Sequence, residues 1–310
     1  ILIIPKKKKI LEWFFKTRDD FLYNSQHDFY IALMKSEYVG YPLSVHLETL
    51  ALCNAKCTFC QYPELERVGD RMSDDTIAKV LDDLKIIPKT LPITIILYGV
   101  NEPFLDKRIF DIIKKIKLTL PNTYIQINSN GIPLNDSNLE KLKSSDITQM
   151  SISMNDYRKK EYEETMKIDY EKAIIVLEKL NKFKKNNVIP FPIGVTRAGD
   201  SSIHDIYFLK WVKDKFPYLN ANCSPSFDWL GSKARFFKVP EIGCTHWFEV
   251  TIRANGDVAF CCLDGHIKYP KGNVINENVI DIYNKKESIH LRKTMTLRKN
   301  VLPCTQCRAG

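Results

Sequence analysis

Three cysteines, Cys53, Cys57 and Cys60, stand close together just after an apolar segment of the chain. Neighbouring thiolates are the usual ligands of iron–sulfur clusters, and a four-iron cluster normally takes four of them. Three cysteines therefore leave one iron free to bind a small ligand, as the open position of a catalytic metal site does. The spacing predicts a cluster at which chemistry takes place.

A second group of cysteines occupies the last quarter of the chain. Its members are Cys244, Cys261, Cys262, Cys304 and Cys307. Asn255-Gly256 predicts a hairpin turn between strands at 247–252 and 258–262, because both residues tolerate a positive φ. Adjacent strand residues point to opposite faces, so only one of Cys261 and Cys262 is expected to join the other three. Four cysteines predict either a second iron–sulfur cluster or a structural zinc ion.

Strands and helices alternate through the middle of the chain. Predicted strands lie at 43–50, 93–97, 124–128, 148–153, 188–195 and 218–223, and predicted helices at 73–88, 109–117, 137–142, 170–183 and 204–215. Ser73 is the expected N-cap of the first of these helices, and Pro88 closes it. Such alternation predicts an α/β fold with parallel strands and right-handed crossovers. Parallel barrels carry their sites at the carboxyl ends of the strands, and the three-cysteine loop follows the first strand.

Two further helices are predicted outside this alternation. The spacing of Leu11, Phe14, Phe15 and later apolar residues indicates an amphipathic helix over about residues 8–36. A helix around 279–297 is expected between the hairpin and the final pair of cysteines. The two ends of the chain are therefore predicted to be helical additions to the central α/β unit.

The C-x3-C-x2-C spacing, with Phe59 just before the last cysteine, resembles the cluster loop of the radical S-adenosylmethionine (SAM) enzymes. The resemblance implies that the open iron chelates the amino and carboxylate groups of SAM. An electron from the cluster then cleaves SAM to methionine and a 5′-deoxyadenosyl radical, which takes a hydrogen atom from the substrate. The resemblance also implies a partial (β/α)6 TIM-like barrel, which the six predicted units match.

The C-terminal cysteines resemble the auxiliary-cluster domain of that family, called SPASM when it holds two clusters and Twitch when it holds one. Too few cysteines remain for two, so the resemblance implies one auxiliary [4Fe-4S] cluster on Cys244, Cys261, Cys304 and Cys307. The family's Gly-x4-Cys spacing, counted from Gly256, selects Cys261, with Cys262 as the alternative. The expected parts are an N-terminal helical extension (1–42), the barrel (43–230) and a small β-hairpin/helix cluster domain (231–310).

Residues at the other strand ends are similar to the SAM-binding segments of the family. Gly99-Val100-Asn101-Glu102-Pro103 resembles its Gly-Gly-Glu-Pro segment, so the resemblance implies that Glu102 accepts the SAM ammonium. Further implied contacts with SAM come from Phe59, Asn128, Ser151, Ser153, Asn155 and Arg197. Strand-end capping is the alternative for the Ser and Asn residues, and a surface salt bridge is the alternative for Arg197.

Cys223 stands alone near the end of the sixth predicted strand. In epimerases of the radical SAM family, a lone thiol donates a hydrogen atom to the substrate radical, and Cys223 is the candidate for that role here. The alternative is a free cysteine packed as a small buried hydrophobe.

The composition limits the partners of the chain. A net charge of +9 over 310 residues indicates a solvated basic surface, an anionic substrate or an acidic electron donor. Nucleic acid ranks below these because no recognition motif accompanies the charge. Clustered cysteines favour metal binding in a reducing cytoplasm over disulfides. No apolar stretch approaches the roughly 20 residues of a membrane span, and a short apolar run followed by lysines has the wrong order for a signal peptide.

These observations predict a cytoplasmic radical SAM enzyme that a flavodoxin- or ferredoxin-type protein reduces. The Tyr62-Pro63 segment and the Cys261-Cys262-x-Asp264 ending are similar to members that modify sugars, aminocyclitols or glycans. The expected reaction is dehydrogenation or epimerisation of such a substrate. A peptide-maturing enzyme is the alternative within the family, and a zinc-stabilised binding protein is the alternative outside it.

Overall fold

The computed structural model describes residues 25, 27–200, 202–225, 228–230, 242–294 and 296–307. The strands are β1 (Ser44–Leu47), β2 (Thr94–Ile96), β3 (Tyr124–Ser129), β4 (Gln149–Ser153), β5 (Ile193–Gly199), β6 (Asn220–Pro225), β7 (Glu249–Ile252), β8 (Asp257–Ala259) and β9 (Gly272–Asn273). They form one sheet in the order β6-β5-β4-β3-β2-β1-β7-β8-β9.

Helices connect the parallel strands and flank them at both ends of the described chain. They are α1 (27–35), α2 (Asp74–Asp83), α3 (Ile109–Thr119), α4 (Asp136–Leu142), α5 (Lys159–Met166), α6 (Tyr170–Lys185), α7 (Ile203–Lys215), α8 (Val279–Tyr283) and α9 (Lys286–Lys293). Short 3₁₀ turns lie at Tyr62–Glu64, Leu84–Ile86, Pro103–Leu105, Thr245–Phe248, Arg298–Asn300 and Cys304–Gln306. Ser73 caps α2 as expected, accepting a hydrogen bond from the amide of Thr76. None of the helices in the described part of the chain is long and apolar enough to cross a bilayer.

The first six strands run parallel, each beside the next in sequence order, and confirm the predicted α/β partial barrel. Side chains alternate between the two faces of each strand. Val45, Ile95, Ile127 and Ile152 face the surrounding helices and are at most 1% exposed, so the main hydrophobic core lies in that layer. The opposite face carries polar side chains and encloses the barrel interior.

Several predicted elements differ from the structure. The helix expected at 73–88 ends at Asp83, before a 3₁₀ turn, and the strand expected at 258–262 ends at Ala259, so Cys261 and Cys262 lie beyond it. The fifth strand was expected at 188–195 but begins at Ile193, because Pro190 and Pro192 lack the amide proton that a central strand needs. The predicted helix at 279–297 is two helices, divided where Asn284 turns to donate a hydrogen bond to the carbonyl of Gly40, 2.9 Å away. Helix α5 was not predicted, since its eight residues are mostly charged and have weak apolar periodicity.

The C-terminal strands extend the barrel sheet. Strand β7 pairs in parallel with β1, and the predicted hairpin β7–β8 turns through Gly256, whose φ of +87° suits glycine. Of the predicted N-terminal helix over 8–36, residues 8–24 and 26 lie outside the described residues, and 27–35 are helical. Tyr30 of α1 is 1% exposed and donates to the carbonyls of Leu291 and Thr294. Both ends of the described chain therefore share one small core, while the predicted domain bounds stay predictions.

Candidate active site

The three-cysteine loop leaves β1 at the carboxyl edge of the sheet and is held by the end of helix α5. The amide of Lys56 donates to the carbonyl of Met166 at 3.2 Å, and the amide of Thr58 donates to the carbonyl of Thr165 at 2.9 Å. The last carbonyls of a helix have no partner within the helix, so they are available to hold a neighbouring loop. The loop is thus fixed by an element about one hundred residues away in sequence.

The sulfur atoms of this loop receive hydrogen bonds from the chain around them. The amide of Ala55 lies 3.4 Å from the sulfur of Cys53, and the amide of Tyr62 lies 3.4 Å from that of Cys60. Burial, with smaller contributions from the charges of Glu102 and Cys60, raises the pKa of Cys53 to about 12. Thiolates packed this closely need a cation, and amide donors to sulfur are what iron–sulfur sites provide. The three cysteines fit a cluster.

Glu102 joins the ends of the first three strands. Its carboxylate is 1% exposed and accepts hydrogen bonds from the amides of Asn130 (2.7 Å) and Phe104 (3.2 Å) and from the hydroxyl of Ser129 (2.8 Å). Burial raises the pKa of Glu102 to about 7, although these three hydrogen bonds oppose the rise. The residue lies beside the cysteine loop, and its acceptance of the SAM ammonium stays a prediction.

A cavity of about 350 Å³ opens on the inner face of the barrel, above the cysteine loop. Six of the seven residues predicted to contact SAM line it: Phe59, Asn128, Ser151, Ser153, Asn155 and Arg197. Glu102 does not line it. The structure thus brings together side chains from β3, β4, β5 and the cysteine loop, which are far apart in sequence.

Arg197 lines the cavity but is held from behind by carboxylates. Its guanidinium contacts Asp205 at 3.0 Å, Asp156 at 2.9 Å and Asp200 at 3.3 Å. The residue is 6% exposed, so this is a buried network rather than the surface salt bridge of the sequence-based alternative. Binding of the SAM carboxylate by Arg197 stays a prediction, and it requires exchange of one of these partners.

Cys223 lies on the other side of its strand from the cavity. Its neighbours Asn222 and Ser224 line the cavity, and side chains alternate along a strand. A Cβ added to Gly199 would lie 2.7 Å from the Cys223 sulfur and 2.8 Å from an oxygen of Asp205, which belongs to α7. The thiol therefore faces the helix layer.

The C-terminal cysteines form a second group in the small core. Cys244, Cys261, Cys304 and Cys307 are all buried and pack in one cluster with Trp247 and Phe248. Burial and, to a smaller extent, the charge of Cys244 raise the pKa of Cys304 to about 11. The four thiols fit a second cluster by their chemistry and their common burial. Cys262 points elsewhere, with its sulfur 3.7 Å from Nδ1 of His246.

A buried ion network fastens the cysteine hairpin to the barrel. Glu48, at the end of β1, contacts both Arg67 and Arg253 and accepts from the amides of Val100 (3.1 Å) and Ala254 (3.3 Å). Burial alone would raise the pKa of Glu48, but the charges of Arg253 and Arg67 outweigh it and lower the pKa. Arg253 in turn donates to the carbonyl of Cys262 at 2.9 Å. The position of the second cysteine group thus depends on a carboxylate of the barrel.

Several residues of the cavity wall were not expected from the sequence. They are Tyr98, Gln126, Gln149, Thr196, Asn222, Ser224 and Trp229. Strand alternation was a usable signal for two of them, because Gln126 shares a face with Asn128, and Gln149 shares a face with Ser151. Trp229, whose indole donates to the carbonyl of Phe59 at 2.6 Å, follows the last barrel strand without any pattern.

Solved structures support the fold at low sequence identity. BtrN in complex with AdoMet and 2-DOIA is 15% identical, with a TM-score of 0.62 over 86% of this chain and 92% of that chain. A second match, anSMEcpe with bound AdoMet, is 17% identical, with a TM-score of 0.61 over 86% and 85%. SuiB of Streptococcus suis bound to S-adenosylmethionine is 14% identical, with a TM-score of 0.60 over 82% and 68%. A search of curated proteins found no match.

Two family models match the chain and cover both cysteine groups. The radical SAM superfamily model matches residues 47–209, more than half of the chain. The model of an iron–sulfur cluster-binding domain, SPASM, matches residues 244–308. They confirm the predicted cofactors, a SAM-binding [4Fe-4S] cluster and an auxiliary iron–sulfur cluster. The chain belongs to the radical SAM superfamily and carries a C-terminal SPASM iron–sulfur domain.

Proposed function

We propose that this radical SAM enzyme dehydrogenates an alcohol carbon of a small polyhydroxylated substrate, such as a sugar or an aminocyclitol. The observation that carries the proposal is the chemistry of the cavity wall. Side-chain amides and hydroxyls from β3, β4, β5 and β6 line it, and Arg197, whose charge three carboxylates balance, is the charged residue among its lining side chains.

Amides suit the hydroxyls of such a substrate. Gln126, Gln149 and Asn222 each offer a carbonyl acceptor and an amino donor, and a sugar hydroxyl needs one of each. The volume of about 350 Å³ lies at the low end of ligand pockets, and the residues predicted to contact SAM line the same cavity, so the space left beside SAM favours a small molecule. A peptide would need a longer groove.

The first cluster and SAM, when bound, supply a radical that removes one hydrogen atom from the alcohol carbon. The second cluster, when bound, supplies an acceptor for one electron, and loss of that electron and a proton completes the oxidation of the alcohol to a ketone. Cys53, Cys57 and Cys60 would hold the first cluster, and Cys244, Cys261, Cys304 and Cys307 the second. The burial of Cys261 with the other three supports it over Cys262. The polar cavity residues would orient the substrate carbon.

Phe59 and Trp229 cover the cavity at the cysteine loop. The hydrogen bond from the Trp229 indole to the Phe59 carbonyl holds the two together over the loop that carries the first cluster. An apolar cover of this kind excludes water, which protects a reactive centre from side reactions. We infer that these two residues shield the reacting atoms.

The position of Cys223 favours dehydrogenation over epimerisation. An epimerase must return a hydrogen atom to the substrate, and the Cys223 thiol faces the helix layer beside Gly199 and Asp205. Dehydrogenation needs no such donor. We therefore propose that Cys223 is a packing residue.

The solved structures do not choose between small molecules and peptides. BtrN was crystallised with 2-DOIA and SuiB with the precursor peptide SuiA, at TM-scores of 0.62 and 0.53 in those complexes. Both likenesses are below 20% identity and concern the fold. The choice of a small substrate rests on the cavity alone.

The electron donor is proposed from charge. A net charge of +9 suits an acidic flavodoxin- or ferredoxin-type protein. The cluster thiols need a reducing compartment, which supports a cytoplasmic location.

A substrate panel tests the proposed function. Anaerobically reconstituted protein is incubated with SAM, dithionite and one candidate substrate, which is a polyol, an aminocyclitol or a peptide. The masses of the products are measured by mass spectrometry. We expect a polyol or aminocyclitol to lose two hydrogen atoms, and Gln126→Leu to raise KM with little change in SAM cleavage without substrate. Modification of peptides alone would overturn the proposal.

A further inference from the structure

A cluster of metal-binding side chains lies outside both cysteine sets. One donor atom each from His46, Glu249 and Cys262 lies within 4.8 Å of the other two. Nε2 of His46 is 3.2 Å from Oε2 of Glu249. His46 is 8% exposed, and the other two residues are partly buried. Imidazole, carboxylate and thiolate together are a ligand set of zinc sites.

The sheet topology creates this cluster. Strand β1 supplies His46, which stands opposite Thr251 of β7, and Glu249 lies two residues before Thr251 on the same face. Cys262 follows β8, on the returning arm of the hairpin. Because β1 pairs with β7, ligands about two hundred residues apart in sequence meet across one strand pair.

His246 is placed to supply a fourth ligand. Its Nδ1 lies 2.8 Å from Oε2 of Glu249 and 3.7 Å from the sulfur of Cys262. The residue belongs to the 3₁₀ turn that leads into β7. The four side chains therefore come from two strands, a turn and a loop. Both histidines contact Glu249, and His246 also contacts Cys262.

The distances match those between ligands of a tetrahedral zinc ion. Bond lengths of about 2.0–2.1 Å to nitrogen, 2.0–2.2 Å to oxygen and 2.3 Å to sulfur separate a nitrogen and an oxygen ligand by about 3.3 Å, and a nitrogen and a sulfur by about 3.6 Å. The corresponding distances here are 3.2 and 2.8 Å for nitrogen and oxygen, and 3.7 Å for nitrogen and sulfur. Small side-chain shifts bring these three distances to the tetrahedral values. His246 must also turn toward His46, because the atoms that lie within 4.8 Å of one another come from His46, Glu249 and Cys262.

We propose that His46, Glu249, Cys262 and His246 bind one zinc ion, separate from both iron–sulfur clusters. The thiolate and the imidazoles exclude magnesium and calcium, which prefer oxygen ligands. Binding releases the proton of the Cys262 thiol to solvent. The ion joins β1 of the barrel to β7 and fixes the residue next to Cys261.

The site also adjoins the cavity wall. The ring of Tyr98 lies edge-on to that of His46, with 6.3 Å between their centroids, and Tyr98 lines the cavity. A zinc ion there would hold β1 and β7 together between the cavity and the second cysteine group. The role of the ion is to fix the distance between these two sites.

The test is zinc binding by the reconstituted holoenzyme, with no substrate required. The protein is loaded with iron, given one equivalent of zinc chloride and desalted, and iron and zinc are counted by plasma mass spectrometry. X-ray absorption at the zinc edge then counts the neighbours of the ion. We expect about one zinc per chain at unchanged iron content, with one sulfur at about 2.3 Å and three nitrogen or oxygen neighbours at about 2.0–2.1 Å.

Matched variants locate the ion. Cys262→Ser and Glu249→Gln should each retain at least tenfold less zinc at unchanged iron content, whereas Cys223→Ser should retain as much as the wild type. Two results would overturn the proposal: a wild type that retains no zinc, or zinc with three or four sulfur neighbours, which places it among the cluster cysteines. The absorption spectrum of the wild type decides even where a variant does not fold.

Discussion

Replacement of Glu48 by glutamine should destabilise the protein far more than the loss of an ordinary carboxylate. Glu48→Gln keeps the shape of the side chain and removes its charge. The side chains of Glu48 and Arg253 are 1% and 0% exposed, and that of Arg67 is 9% exposed. The substitution therefore leaves two buried cations facing a neutral amide. Val100 and Ala254 donate to different oxygens of Glu48, so the amino group of the glutamine also faces one of these two amide donors and leaves it without an acceptor.

The expected cost follows from this burial. Removal of one partner from a buried ion pair typically costs about 3–5 kcal/mol, because the remaining charge keeps its desolvation penalty. For a domain of this size, each kcal/mol lowers Tm by about 2 °C, so a decrease of about 6–10 °C is expected. Thermal unfolding of the reconstituted protein, followed by circular dichroism at pH 7.5, measures it.

The matched control is Glu140→Gln, at an exposed glutamate that pairs with Lys143 on α4. Exposed pairs contribute about 0–1 kcal/mol, so this variant should change Tm by no more than about 2 °C. A decrease in Tm for Glu48→Gln no larger than that for Glu140→Gln would contradict a stabilising role of the buried ion network. An increase in Tm would show that the desolvation penalty of the ion network exceeds the attraction between its charges.

Three further predictions concern the clusters, the strand ends and the N-terminal helix. Cys57→Ala should abolish SAM cleavage, while Cys304→Ala should retain cleavage and lose product, as measured by chromatography of 5′-deoxyadenosine and product. Burial raises the pKa of Glu102 to about 7, above the ordinary value of 4.5, so its contribution to stability is full below pH 4.5 and is lost as pH rises through 7. From pH 6 to pH 8 the free energy of unfolding of the wild type should therefore fall by about 1 kcal/mol more than that of Glu102→Gln, as measured by the change in Tm. Tyr30→Phe removes the donor to two buried carbonyls and should cost about 1–3 kcal/mol by the same assay.

Each of these has a clear contrary result. Normal product formation by Cys304→Ala would remove the second cysteine group from the reaction. Equal pH dependence of Tm in the wild type and Glu102→Gln would show that burial does not raise the pKa of Glu102. An unchanged Tm for Tyr30→Phe would show that α1 does not depend on this contact.

Local signals predicted much of the fold. The Ser73 cap, the Asn255-Gly256 turn and the alternation of strands and helices depend on residues close in sequence, and the structure contains all three. The carboxyl-edge position of the cysteine loop followed from that alternation. These features need no knowledge of distant contacts, so the sequence was sufficient.

Contacts between distant residues could not be predicted. Parallel pairing of β1 with β7 leaves no short-range pattern, and it alone brings His46 to Glu249 and Glu48 to Arg253. Helix α5 has few apolar residues because it is held at its end by the cysteine loop rather than by a broad apolar face. The missed cavity residues on β3 and β4, in contrast, follow from strand alternation once the face of Asn128 and Ser151 is known.

Deuterium transfer tests the central claim most directly. A polyol or aminocyclitol substrate, labelled with deuterium at the carbon to be oxidised, is incubated anaerobically with reconstituted protein, SAM and a reductant. The proposed function predicts deuterium in 5′-deoxyadenosine and a ketone at the labelled carbon, in equal amounts. Unlabelled 5′-deoxyadenosine alongside that ketone, or labelled 5′-deoxyadenosine with an inverted alcohol in place of the ketone, would contradict it.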